Sequence, residues 1–104
     1  LLGWVRSHLT QRLSVETLAA RVGMSPRNFS RAFRFSVGIS PAKAVERLRL
    51  EAARERVEQS SLPIEAIAAM TGFHDPERMR RAFLRAFGQP PQAVRRNANI
   101  RTSC

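Results

Sequence analysis

Two stretches of this sequence are near-copies of each other, and that limits the possible folds more than any other feature. Leu13-Ser-Val-Glu-Thr-Leu-Ala-Ala-Arg-Val-Gly23 matches Leu62-Pro-Ile-Glu-Ala-Ile-Ala-Ala-Met-Thr-Gly72. The match resumes downstream, with Arg31-Ala32-Phe33 against Arg81-Ala82-Phe83, Gly38 against Gly88 and Pro41 against Pro91. The offset is 49 residues up to the first glycine of each copy and 50 beyond it. One residue is therefore added in the second copy, just after Gly72. Self-similarity of this kind means that one supersecondary unit has been built twice.

Each copy reads as two short helices around a tight turn. In the first, Ser14 is an N-cap, because its hydroxyl can accept from a free backbone N–H of the opening turn. Val15, Leu18, Ala19 and Val22 then recur at helical spacing and share one face. Gly23 ends that helix, Ser25 caps the next, and Pro26 takes its first position, where the missing N–H costs nothing. Phe29, Ala32 and Phe33 are expected on the buried side. The second copy repeats the scheme: Ile64, Ile67, Ala68 and Thr71 on one face, Gly72 at the break, Asp75 as cap and Pro76 at the start. Met79, Ala82, Phe83, Ala86 and Phe87 form its expected buried stripe. By the repeat, Phe33 and Phe83 are equivalent anchors of the two units.

Between the copies, Ser40-Pro41 opens a helix that reaches Gln59 before Ser60, Ser61 and Pro63 interrupt it. It spans roughly 28 Å at 1.5 Å per residue. Its two apolar stripes, Val45/Leu48/Ala52 and Leu50/Ala53/Val57, suggest a helix packed on two sides. An earlier helix is expected with Leu1, Val5 and Leu9 inward, and a last short one around 92–96 after Pro90-Pro91. The whole is expected to be all-α, with about seven helices. The expected organisation is a first helix-turn-helix unit at 9–38, a linking helix at 40–59, a second unit with the terminal helix at 62–96, and a frayed tail at 97–104.

The charge is lopsided. Eighteen basic residues, seventeen of them arginine, face eight acidic ones, for a formal net charge of +10. Such a field attracts polyanions, nucleic acids or anionic membranes. No apolar run approaches the roughly 20 residues needed to span a bilayer, which leaves nucleic acid. The apolar start, Leu1 to Trp4, lacks the charged region and cleavage site of a secretory signal. It reads as mid-helix, so the chain is expected to be the C-terminal piece of a longer protein. The only cysteine, Cys104, cannot form an internal disulfide, which fits a reducing cytosol.

The arginines are also placed. Arg27, Ser30, Arg31 and Arg34 fall at i, i+3, i+4 and i+7, opposite Phe29 and Phe33. A charged helix face is often mere solvated surface. Here it recurs on the second helix of both copies of a helix-turn-helix pattern. Guanidinium presents a planar fork of donors that fits guanine O6 and N7 in the major groove, and phosphate oxygens equally well.

These residues resemble the C-terminal domain of AraC/XylS-type bacterial transcription regulators. The resemblance covers about 9–96. Its most specific parts are Gly72-Phe73, Met79, Phe83, Gly88 and Pro91 in their spacing, and Arg47-Leu48-Arg49-Leu50-Glu51-Ala52-Ala53 in the linking helix. The resemblance implies that two recognition helices enter successive major-groove segments of an operator in double-stranded DNA. Carried over, Arg27, Asn28, Ser30 and Arg31 would read bases from the first unit, and Glu77, Arg78, Arg80 and Arg81 from the second. Ser25, Arg34, His74, Arg85, Arg95 and Arg96 would hold phosphates. The second unit departs from the first: Leu84 stands where the first has Arg34, and Glu77 brings an acid to the groove. Glu77 could accept from cytosine N4 or serve only as a favourable charge at a helix N-terminus. Ser25-Pro26-Arg27-Asn28-Phe29 and Arg80-Arg81-Ala82-Phe83 further resemble a subgroup with an amidotransferase-like (DJ-1/PfpI-like) N-terminal domain. The resemblance also implies RNA polymerase as a further contact, a monomeric isolated domain, and a full-length protein dimerised through a domain outside this chain.

Other functions fit less well. There are no paired carboxylates, no Ser/His/Asp set and no glycine-rich phosphate loop, so no catalytic residue is expected. Two histidines and one cysteine make a metal site or cofactor unexpected. His8 belongs to a core or boundary, and His74 to the turn before a recognition helix. The DNA-repair methyltransferases that carry a related domain need a cysteine cluster, which is absent. Readers of single-stranded RNA expose aromatic stacking surfaces, whereas the aromatics here are expected on buried faces.

Overall fold

The computed structural model describes residues 1–103; Cys104 lies outside the described residues. Seven α-helices and no strand occur among them: α1 Leu2–Ser7, α2 Val15–Arg21, α3 Pro26–Val37, α4 Pro41–Gln59, α5 Ile64–Met70, α6 Pro76–Phe87 and α7 Pro91–Ser103. No helix among the described residues is long and apolar enough to cross a membrane. The chain divides into two compact units within α4, the first ending at Leu48 and the second beginning at Arg49.

Local chemistry sets the helix boundaries. Ser14 Oγ accepts from Thr17 N–H (3.2 Å), Ser25 Oγ from Asn28 N–H (3.3 Å), Ser40 Oγ from Lys43 N–H (3.2 Å) and Asp75 Oδ1 from Glu77 N–H (3.0 Å). Each satisfies a backbone donor that a helix start leaves free. Prolines 26, 41, 76 and 91 open α3, α4, α6 and α7. Gly38 (φ 90°) and Gly88 (φ 73°) close α3 and α6 in the left-handed conformation, and their N–H groups donate back to Arg34 and Leu84. A side chain at either position would be strained there.

In the first unit, Val5, Leu9, Leu13, Leu18, Ala19 and Phe29 are buried, as are Ala44, Val45 and Leu48 of α4. The Trp4 ring stacks on the His8 ring (4.2 Å, near-parallel), and the Arg21 guanidinium lies 4.3 Å from the Trp4 ring centre. His8 Nδ1 sits 2.7 Å from the Trp4 carbonyl oxygen, which can only accept, so this nitrogen carries the proton. His8 is thus a boundary residue that fastens α1, as expected.

The second unit is built around Phe83, which is fully buried with Leu50, Ala53, Val57, Ile67, Ala68, Phe73, Met79, Ala82 and Val94. Phe83 and Phe87 meet edge to face at 5.1 Å, and Arg54 lies over Phe87 at 4.5 Å. The residue added after Gly72 has a visible use. In the first unit the turn is closed by Met24 N–H to the Ala19 carbonyl (2.9 Å); in the second it is closed by His74 N–H to Ala68 (2.9 Å), one residue wider. His74 absorbs the extra residue at φ 66°, a conformation that histidine visits more readily than most side chains. The longer turn lets Phe73 turn into the core, whereas Met24 is partly exposed.

Several expectations need correction. The terminal helix does not stop near Arg96. It continues to Ser103, since nothing from Asn97 onward breaks a helix and Ala98 is buried. Ala32 and Ala86 are exposed, as are Val22 and Leu1, so the buried stripes are narrower than their periodicity suggests. Phe33 is only half-buried, unlike its repeat partner Phe83, and Phe29 is the anchor of the first unit. Not all aromatics face inward either: Phe35 is 93% exposed.

Candidate nucleic-acid interface

In each unit the second helix of the pair is amphipathic, and its outward face is where the arginines lie. On α3, Phe29 is buried, and Arg27, Asn28, Arg31 and Arg34 are exposed around the other side. Ser30 sits at the boundary, half-buried. Ser25, one residue before α3, has its Oγ engaged as a cap acceptor; its hydroxyl proton remains available to a phosphate oxygen. Thus Arg27, Arg31 and Arg34 present three guanidinium groups without an intervening acid.

On α6 the arrangement differs. Arg78, Arg81 and Arg85 line one shallow depression together with Asp75 and Glu77. Arg80 lies to the other side, in a cleft shared with Pro76, Gln92 and Arg96. Glu77 stands between the two sets and binds both. Arg80 grips it with a fork, Nε to Oε2 at 2.8 Å and Nη2 to Oε1 at 2.5 Å, and Arg81 Nε approaches Oε1 at 3.4 Å. The hydrogen bond from Arg80 holds the Glu77 carboxyl down to about 2, with the charges of Arg80 and Arg81 helping. The same bond pushes the Arg80 guanidinium above its ordinary value. Glu77 is therefore an internal partner of two arginines, beyond either role expected of it. The i, i+3 and i, i+4 spacing of Glu77 to Arg80 and Arg81 carries that signal in the sequence.

The remaining expected residues sit as follows. His74 and Arg85 are exposed, and so is Arg96. Arg95 is half-buried: its Nε donates to the Val57 carbonyl (3.0 Å) and its Nη2 to the Leu62 carbonyl (2.8 Å). It ties α7 to the end of α4 and to the link that follows. Leu84, in the place of Arg34, is partly exposed. Two residues escape sequence reasoning. Arg49 is half-buried close enough to Arg78 for both its burial and that second cation to lower its pKa. The other is Phe35. Among the described residues no group of three or more His, Cys, Asp and Glu could hold a metal ion.

The Glu77 pairing has a testable consequence. In Glu77→Gln the carboxylate no longer competes with phosphate for Arg80 and Arg81. Affinity for a random DNA duplex should rise, and its dependence on salt should steepen by about one unit of log–log slope for each additional phosphate neutralised. Unchanged affinity and slope would mean that the two arginines leave Glu77 at no cost. The wild-type pair is insensitive to pH across the neutral range. A carboxyl lowered in the folded state contributes above its ordinary value of 4.5 and loses that contribution only as pH falls through about 2.

Known proteins resemble this chain in sequence and in fold. A family described as a helix-turn-helix domain matches residues 18–97. The HTH-type transcriptional regulator Rv1931c of Mycobacterium tuberculosis is 47% identical over 79 residues, covering 76% of this chain and 30% of that protein. The HTH-type transcriptional activator RhaS of Pectobacterium carotovorum is 34% identical over 98 residues, 94% of this chain and 35% of RhaS. The chain thus spans about a third of the length of these relatives. The DNA-binding domain of AdpA, a global transcriptional factor solved in complex with a target DNA, has a TM-score of 0.93 at 34% identity, over 98% of this chain and 92% of that one. The C-terminal domain of AraT, a response regulator from Geobacillus stearothermophilus, has a TM-score of 0.86 at 30% identity, over 91% and 79% of the two chains.

Proposed function

This chain belongs to the AraC-type helix-turn-helix domains, and we propose that it binds double-stranded DNA with sequence preference and thereby regulates transcription. The observation that carries the reading is the outward arginine face of α3, opposite buried Phe29, with its counterpart on α6. A helix fits the major groove, and side chains in its first turns reach base edges while free N–H groups at helix starts approach phosphates. Arg27, Asn28 and Arg31 read bases from α3, with Ser30 at the margin; Arg78 and Arg81 read from α6. Arg80 is released from Glu77 to complete that set or to join Arg96 on the backbone. Ser25, Arg34, His74, Arg85 and Arg96 hold phosphates. Arg95 is assigned a fastening role in place of a phosphate contact, because its guanidinium already serves two carbonyls.

The relatives named as transcription regulators are roughly two and a half times as long as this chain. Sensing of an effector, dimerisation and contact with RNA polymerase are assigned to the larger protein, acting at the nucleoid in the bacterial cytoplasm. The domain alone is a monomer on DNA and needs no cofactor.

Base reading and charge are separated by two substitutions. Arg31→Ala should cost about 1–3 kcal/mol on a preferred duplex and relax preference at one base pair, as for loss of a bidentate guanine contact. Arg96→Ala should weaken preferred and random duplexes by a similar factor, since phosphate contacts carry no direct sequence information. Titrating both variants at one salt concentration decides the matter. Equal weakening of both duplexes by Arg31→Ala would remove α3 as the reading helix.

A further inference from the structure

Phe35 is an aromatic side chain that the fold leaves in water. It is 93% exposed, far more than any other large apolar residue described. It lies near the end of α3, one helical turn after Arg31 and two after Arg27, so it continues their face and stands away from buried Phe29. Its repeat counterpart on α6 is Arg85. An exposed phenylalanine forgoes the stabilisation that burial would bring, and here it does so on the surface assigned to the major groove.

We propose that Phe35 reads thymine, by packing on its 5-methyl group in the major groove. This inference rests on the reading of α3 as a base-reading helix. The thymine methyl is the one apolar group that base pairs present on that edge, and phenylalanine is among the side chains that match it. The surroundings select this occupant over an apolar protein surface. Arg27, Arg31 and Arg34 are all exposed on the same helix without an acid among them, a setting complementary to a polyanion. Distance along the helix places the contact. Four residues at 1.5 Å rise put Phe35 about 6 Å beyond Arg31 along the axis. That is roughly two base steps of 3.4 Å. α3 would then read a guanine with Arg31 and, about two pairs away, a thymine with Phe35. α6, carrying Arg85 at the same place, would show no such preference.

The test uses this chain and a duplex selected from random sequence. Each thymine is replaced in turn by deoxyuridine, which removes only the methyl. One replacement, about two pairs from the position relaxed by Arg31→Ala, should weaken wild-type binding about fourfold, the worth of one buried methyl group. In Phe35→Ala the same replacement should have no effect, while the melting temperature stays that of wild type because the side chain is exposed. If no deoxyuridine effect depends on Phe35, the inference is wrong even though Arg31→Ala still relaxes specificity. It is equally wrong if Phe35→Ala leaves every duplex affinity unchanged and weakens only a protein contact, or if the aromatic instead serves single-stranded RNA. Absence of any sequence preference in the wild type would sink the function and this inference together.

Discussion

Phe83→Ala should destabilise the second unit by about 3–5 kcal/mol, the range for emptying a fully buried phenylalanine site. That is a large share of the roughly 5–15 kcal/mol that holds an ordinary domain together. The side chain is 0% exposed and lies among residues from α4, α5, α6 and α7, with Phe73 from the inserted turn beside it. Removing the ring leaves a cavity bounded by four helices that cannot all close on it. It also removes the edge-to-face partner of Phe87, the ring over which Arg54 lies. A melting curve should shift down by well over 10 °C, at about 4–8 °C per kcal/mol for a domain of this size. Phe33→Ala in the first unit should cost clearly less, because Phe33 is only half-buried. Equal losses from the two substitutions would show that the repeat holds in packing as well as in sequence, against the observed burial. An unchanged melt for Phe83→Ala would contradict the core itself.

Much of this fold is legible in single residues. Ser14, Ser25, Ser40 and Asp75 cap where their chemistry suggests, and each of prolines 26, 41, 76 and 91 starts a helix. Such signals are local: a hydroxyl three residues before a free N–H acts within its own turn. Burial is less legible because it depends on what packs opposite. Periodicity puts Ala32 with Phe29 and Ala86 with Phe83, yet both alanines are exposed. The end of α7 is obscured by polar residues that read as a tail, although Asn97 to Ser103 contains no glycine or proline.

The candidate site divides in the same way. The positions of the exposed arginines follow from helical spacing. What those arginines hold does not. Arg95 looks like one more cation in a basic terminal helix, but it is bonded to two carbonyls more than thirty residues back in the chain. Glu77 suggests a base contact or a helix-dipole charge, when its nearest partners are one turn away. The inserted residue can be counted in the sequence, but its use, bringing Phe73 into the core, emerges only with the turn geometry. Phe35 escapes notice because an aromatic is assumed to be buried.

If these arginines meet a DNA backbone, salt must weaken the binding steeply. Phosphates bound by cationic side chains release condensed counterions, so log affinity falls linearly with log salt at about −0.9 per phosphate neutralised. Arg34, Arg85 and Arg96 are exposed and assigned to the backbone. These three alone give a slope of about −2.7, and a loss of about 40-fold between roughly 50 and 200 mM salt. Freed Arg80 and the base-reading arginines can only steepen it. Equilibrium binding of this chain to duplex DNA should be titrated at several salt concentrations across that range. A straight line with a slope of about −3 or steeper is expected. A flat line would contradict it, because a chain of net charge +10 that ignores salt is not binding DNA through its arginines.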